Sequence, residues 1–183
     1  AIATRFIEEG ASVFAVDLAS EQLEETLAYN AAHKDRIIPY TCDVTKLDQI
    51  EAMIGACIAQ FGTIDILVNN VGGSQKGGPV ELSAQDWQRQ IDYNLTSVFS
   101  ACKFALPHMA EKKSGSIVNI ASTSGLRWTG SAQVGYATSK AAVIQLSKVV
   151  AVEYASQGVR VNTVVPGQLH TPMVETRLAG QRA

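Results

Sequence analysis

Charge is scarce in this 183-residue sequence: charged residues make up 17% of it, and 15 Lys and Arg against 17 Asp and Glu leave a formal net charge of −2. There is no Lys/Arg cluster of the kind a phosphate backbone requires, which argues against a nucleic-acid partner. Cysteine is scarce as well. Cys42, Cys57 and Cys102 stand far apart and outside any Cys-x-x-Cys spacing, the pattern of reduced, buried thiols in a cytoplasmic protein. His33, His108 and His170 lack metal-ligand spacing, so no metal is expected. No apolar run reaches the roughly 20 residues of a membrane span, and there is no internal repeat or low-complexity linker. Apolar residues are plentiful at 46%, which suits one globular domain over residues 1–183 with a core of its own.

Residues 1–10 read as a helix already under way, without an N-cap or initiator Met and closing on Gly10. Residues 171–183 begin like another helix and break off. Both ends read as interior to a longer chain, which leaves targeting unreadable. Between them, strands are expected at 12–17, 37–42, 65–69, 116–121 and 159–165. Helices are expected at 20–33 with Ser20 as N-cap, and at 46–61, 83–111 and 134–157. Near-continuous apolar strands joined by helices predict a parallel α/β sheet covered on both faces. Such sheets bind ligands at the carboxyl ends of their strands. Polar residues collect there: Asp17, Asp43, Asn69, Asn70, Ser122 and the Pro166-Gly167 pair.

Tyr136-Ala137-Thr138-Ser139-Lys140 places a phenol and an amine one helical turn apart on a shared face. A positive charge beside a phenol favours its phenolate form, which suits proton exchange with an alcohol or ketone near neutral pH. Alone, the pair is common by chance and reads more readily as a surface Tyr and a solvated Lys.

Together with Asn69-Asn70-Val71-Gly72, Asn94, Ser122 and Pro166-Gly167-x-x-x-Thr171, the pair gives a pattern that resembles the short-chain dehydrogenase/reductase family along essentially the whole chain. The resemblance implies a Rossmann-type doubly wound fold, a nicotinamide cofactor and hydride transfer at a secondary alcohol or ketone. In the family's order a Gly-rich phosphate turn precedes the helix that matches Ala1-Ile2-Ala3. The first strand and that turn, together with the last strand, are therefore expected to be missing, leaving the middle of the sheet open and the isolated segment inactive.

The resemblance also assigns roles. Asp17 would accept hydrogen bonds from the adenosine ribose and repel a 2′-phosphate, favouring NAD over NADP; alternatively it caps the following turn. Asp43 and Val44 match the Asp-Val pair beside the adenine, with Asp43 doubling as a helix N-cap. Asn69, Val71 and Gly72 would border the ribose, Val71 replacing the more common Ala. Ser122 would hydrogen-bond the substrate oxygen, with Thr123 and Ser124 as rivals, because the interval to Tyr136 is one residue longer than usual. The extra residue is placed in the loop 126–135. Asn94, a poor helix-interior residue, would distort its helix and help link Lys140 to solvent through a water. Lys140 would assist Tyr136 and bind the nicotinamide ribose. Pro166, Gly167, the Leu169 backbone and the Thr171 hydroxyl would hold the carboxamide end.

The reading is an NAD-dependent (NADP possible) alcohol dehydrogenase or ketone reductase with a small-molecule substrate. Its rivals are an NADPH-dependent 3-oxoacyl-carrier-protein reductase and a non-catalytic descendant of the fold. Ser74, Gln75, Arg127, Trp128, Thr129, Val134, Leu169 and His170 are the pocket candidates. Surplus apolar residues on the two long helices (Val98, Phe99, Phe104 and Leu106, then Val143, Ile144, Leu146, Val149 and Val150) predict a homodimer or homotetramer.

Overall fold

The computed structural model describes residues 1–169. Helix α1 (Ile2–Glu8) closes through Gly10, whose φ of +90° is the left-handed turn anticipated for it. Strand β1 (Val13–Asp17), helix α2 (Ser20–Tyr29), a 3-10 stretch (Ala31–Arg36), strand β2 (Ile37–Thr41), helix α3 (Leu47–Phe61) and strand β3 (Ile66–Asn69) follow. Next come helix α4 (Ala84–Ile91), a π-helical turn (Asp92–Thr96) and helix α5 (Ser97–Glu111). Strand β4 (Gly115–Ile120), helix α6 (Val134–Tyr154) and strand β5 (Val159–Val164) complete the described order.

All strand pairing is parallel, as expected for apolar strands returned by helical crossovers. Val13 lies opposite Ile37 in the β1–β2 pair; Ile66 lies opposite Ser116, and Gly115 opposite Val159, in the sheet ordered β3-β4-β5. Ile117 of β4 is fully buried in one apolar cluster with Ile50 and Ile54 of α3, Ala105 and Met109 of α5, and Val143 of α6. Crossovers of this kind deliver every strand's carboxyl end to the same edge, and the site is built there.

The sheet is in two parts. Strands β1 and β3 make no ladder with each other and line opposite sides of a cavity of about 890 Å³, which also meets Phe6, Ile54, Cys57 and Val98. The opening coincides with the place where the family resemblance puts its first strand. It is mostly apolar and meets the candidate site at Asp17, Val44 and residues 69–71.

Several expectations change in detail. Ser20 is the first residue of α2 and Ala19 occupies the cap position; Asp17 Oδ1 receives the Ala19 N–H at 3.0 Å. Asp43 does not cap α3, which starts at Leu47 after Lys46; it closes a local turn instead, accepting from Thr45 N at 2.9 Å and Thr45 Oγ1 at 2.7 Å. The helix expected over 20–33 ends at Tyr29, and the one over 134–157 gives way to a 3-10 turn after Tyr154. The uninterrupted helix expected over 83–111 is broken by the π turn, which carries Asn94. The oligomer reading loses Val98, Leu106 and Val143, which are buried in the core, and keeps Phe99 and Val149, both about half exposed.

Candidate active site

Asn94 explains the break in its helix. Its side chain is fully buried and turns back onto two backbones: Nδ2 donates to Gly73 O at 2.9 Å and Gln90 O at 3.0 Å, while Oδ1 accepts from Gly73 N at 3.0 Å. An amide that competes for the helix's own hydrogen bonds favours such a widened turn, and π turns gather at functional sites. The anticipated distortion is present, and it clamps the loop after β3 to the helix.

Gly72 is where three elements converge. A Cβ there would lie 2.8 Å from Asn94 Oδ1 and 3.0 Å from Lys140 Nζ, so a larger residue would displace these side chains. Lys140 is 3% exposed and donates to Ile120 O, at the end of β4, at 2.7 Å. Burial away from water disfavours its ammonium and pulls its pKa down to about 8. The same Nζ lies 5.7 Å from the centre of the Tyr136 ring, so the one-turn spacing brings amine and phenol into the same neighbourhood.

Ser122 reaches this cluster through a second glycine. It begins a short 3-10 turn (Thr123–Gly125), and a Cβ on Gly125 would meet Ala141 N at 2.6 Å and Lys140 C at 2.7 Å. The turn therefore lies directly on the α6 backbone. Ser122 Oγ accepts from Ser124 N at 3.2 Å, so the rival Ser124 supports Ser122 through its main chain. Thr123 N donates to Pro166 O at 3.0 Å, bringing the Pro166-Gly167 pair alongside.

The remaining candidates divide. Asp17 ends β1 and Asp43-Val44 follows β2, at the same edge of the sheet. The Thr45 hydroxyl, with help from the Thr45 N–H, holds the Asp43 carboxyl below the usual carboxylate range. Asn69 does not turn outward: Nδ2 donates to Asn119 Oδ1 at 2.8 Å, and Asn119 continues to Ser147 Oγ at 2.9 Å. That side chain braces β3 against β4. Leu169 is exposed, and Thr171 and His170 lie outside the described residues. Burial pushes the Cys102 thiol up to about 11 and raises Cys42 and Cys57 too, so none is an activated nucleophile.

Comparison with known proteins decides what this cluster belongs to. The sequence model described as short chain dehydrogenase matches residues 1–182. This chain belongs to the short-chain dehydrogenase family. It is 42% identical to 2-(R)-hydroxypropyl-CoM dehydrogenase of Xanthobacter autotrophicus, over 97% of this chain and 72% of that protein. It is 37% identical to the 3-oxoacyl-[acyl-carrier-protein] reductase FabG of Thermotoga maritima, over 93% of this chain and 69% of that one. Among solved structures, ElxO with NADP bound superposes with a TM-score of 0.92 at 30% identity, over all of this chain and 73% of ElxO.

As a short-chain dehydrogenase the protein is an oxidoreductase of CH–OH and keto groups, and its fold is built for a nicotinamide cofactor. The donor and acceptor set at the strand ends fits such a group: the Asp17 carboxylate ends β1, the Lys140 amine sits at the end of β4, and Asp17, Val44 and residues 69–71 line the cavity. Tyr93 escaped the sequence reading. Burial, and then the charges of Asp17 and Asp43, push its phenol up, which puts it in the field of both strand-end carboxylates. Gln90 escaped as well: its Oε1 accepts from Gln75 N at 3.2 Å, and its carbonyl receives both Asn94 Nδ2 and Ser139 Oγ. The only signal for either was proximity to Asn94. Among the described residues no cluster of His, Cys, Asp and Glu could hold a metal ion, and no helix is long and apolar enough to cross a membrane.

Proposed function

We propose that this enzyme interconverts a secondary alcohol and a ketone with Tyr136 as the acid–base group. The convergence of Lys140 Nζ and Asn94 Oδ1 on Gly72, with the Tyr136 ring beside the amine, carries this reading. A nicotinamide coenzyme, when bound, supplies hydride acceptance and donation. In the oxidative direction Tyr136 Oη takes the hydroxyl proton, and Ser122 Oγ donates its hydrogen to the same oxygen and steadies the developing negative charge. Lys140 supplies a positive charge beside the Tyr136 ring and a donor for a ribose hydroxyl. Asn94 holds the loop at Gly73 and the wall behind Lys140. The test is turnover of a panel of secondary alcohols and ketones by the intact enzyme and by Tyr136→Phe. Retention of most of the kcat in the variant would overturn the assignment.

The coenzyme is NAD in this reading. Asp17 Oδ2 has no protein partner among the described residues, because only Oδ1 is used on Ala19 N. A free carboxylate oxygen at the end of β1 suits ribose hydroxyls and disfavours a 2′-phosphate. Asp43 and Val44, the backbone of Asn69, Val71 and Gly72, and the segment from Pro166 through Gly167 and Leu169 to Thr171 would hold the rest. The relative from Thermotoga maritima supports a 3-oxoacyl-carrier-protein reductase as a second reading, and the NADP-bound ElxO supports NADPH as its coenzyme. Initial rates with NADH and NADPH on the same ketone separate the two. Three buried free thiols support a cytoplasmic setting. The exposed Phe99, Val149 and Val152 support a homo-oligomer.

A further inference from the structure

The loop between Ser122 and Tyr136 is closed by a compact polar clasp. Gln133 Nε2 donates to Ser124 Oγ at 2.9 Å and to Thr129 Oγ1 at 3.2 Å, and those two hydroxyls lie 3.0 Å apart. The main chain of Gln133 is equally committed. It occupies the cap position of α6, and its carbonyl accepts the Ala137 N–H at 2.9 Å. Its neighbours are pinned from the opposite loop, Gly77 N donating to Ala132 O at 2.9 Å and Val134 N to Gly77 O at 3.1 Å.

The clasp bears on the direction of one proton. A serine hydroxyl has a single hydrogen and two lone pairs. Ser124 N already occupies an acceptor site on Ser122 Oγ, so the Ser122 hydrogen is turned away from Ser124 and is available to a substrate oxygen. This arrangement lasts only while the 3-10 turn keeps Ser124 N in place, and Gln133, with the Thr129 hydroxyl beside it, holds the Ser124 side chain. One residue thus holds the Ser122 turn with its side chain and starts the Tyr136 helix with its backbone.

We infer that Gln133 is a positioning residue that fixes Ser122 as a hydrogen-bond donor and sets it in register with Tyr136. The inference rests on the proposed role of Ser122. In the intact enzyme, Gln133→Met keeps length and volume while removing both donors. It should lower kcat about fivefold, the scale of one neutral hydrogen bond, and leave coenzyme affinity unchanged. The same substitution in a Ser122→Ala background should have no further effect, because the group it positions is gone. Ser124→Ala, which removes the hydroxyl that Gln133 holds, should reproduce the loss and carries the test if Gln133→Met does not fold. An equal loss in both backgrounds would make Gln133 merely structural and overturn the inference. So would an unchanged kcat in Gln133→Met or Ser124→Ala alongside a damaged Ser122→Ala. An undamaged Ser122→Ala would instead overturn the role of Ser122, and the inference with it.

Discussion

Lys140 is the residue at which the site's electrostatics are concentrated. A lysine amine this deeply buried, with one backbone carbonyl at 2.7 Å, holds its proton only up to about pH 8. Below that pH it is an ammonium and above it a neutral amine, so interactions that need its charge weaken as pH rises through about 8. kcat/KM reports ionisations of the free enzyme. kcat/KM for the coenzyme should therefore decline above that point, and Lys140→Arg, which stays charged, should remove this alkaline limb while lowering the rate throughout. A limb unmoved by the substitution would assign it to another group. Tyr136→Phe should reduce kcat by roughly 10²–10⁴-fold, the usual contribution of a positioned acid–base group, with coenzyme Kd nearly unchanged. Asp17→Ala tests the other end of the site. A hydrogen bond to a charged group contributes about 1.5–3 kcal/mol, so NAD should bind roughly tenfold to a hundredfold more weakly and the NADP/NAD ratio should rise. Wild-type enzyme that already prefers NADP would contradict this reading of Asp17.

At the scale of elements, two glycines and a π turn explain how separate strands and helices share one site. Gly125 is the sharper case, since its missing Cβ faces backbone atoms of α6, which cannot rotate away as a side chain can. Gly125→Ala should force the Ser122 turn off the helix. Overpacking typically costs about 1–3 kcal/mol, and calorimetric melting should show a lowered Tm together with reduced kcat. A variant with wild-type Tm and kcat would mean that the turn has slack. The π turn was foreseeable in part, because Asn94 is poorly suited to a helix interior. Its partner at Gly73 was not, because a loop 21 residues away leaves no trace in local periodicity. The reassignment of Asn69 has the same cause: whether a strand-end amide faces a ligand or the neighbouring strand depends on register, and Asn119 happens to stand opposite.

For the whole molecule, the exposed apolar surface invites a partner. Val149 and Val152 are one turn apart on α6, with Val152 80% exposed, and Phe99 is exposed on α5. Side chains of this kind on adjacent long helices form the apolar centre of a self-complementary interface in the oligomeric reading. Val152→Asp should shift the species seen by light scattering towards monomer without touching Tyr136 or Lys140. A wild type that is monomeric at micromolar concentration would remove the basis for this expectation.

The sequence by itself determined the alternation of strand and helix, the collection of polar residues at strand ends, the Tyr136/Lys140 pair and the family. These depend on local periodicity and spacing, which the linear order of residues carries directly. Only the tertiary structure decided which way Asn69 turns, and that Val98 and Val143 are core while Val149 is surface. Each of these depends on which residues meet across long stretches of chain, as where Asn94, Gly72 and Lys140 converge. Such meetings are fixed by packing and register, which no local pattern encodes.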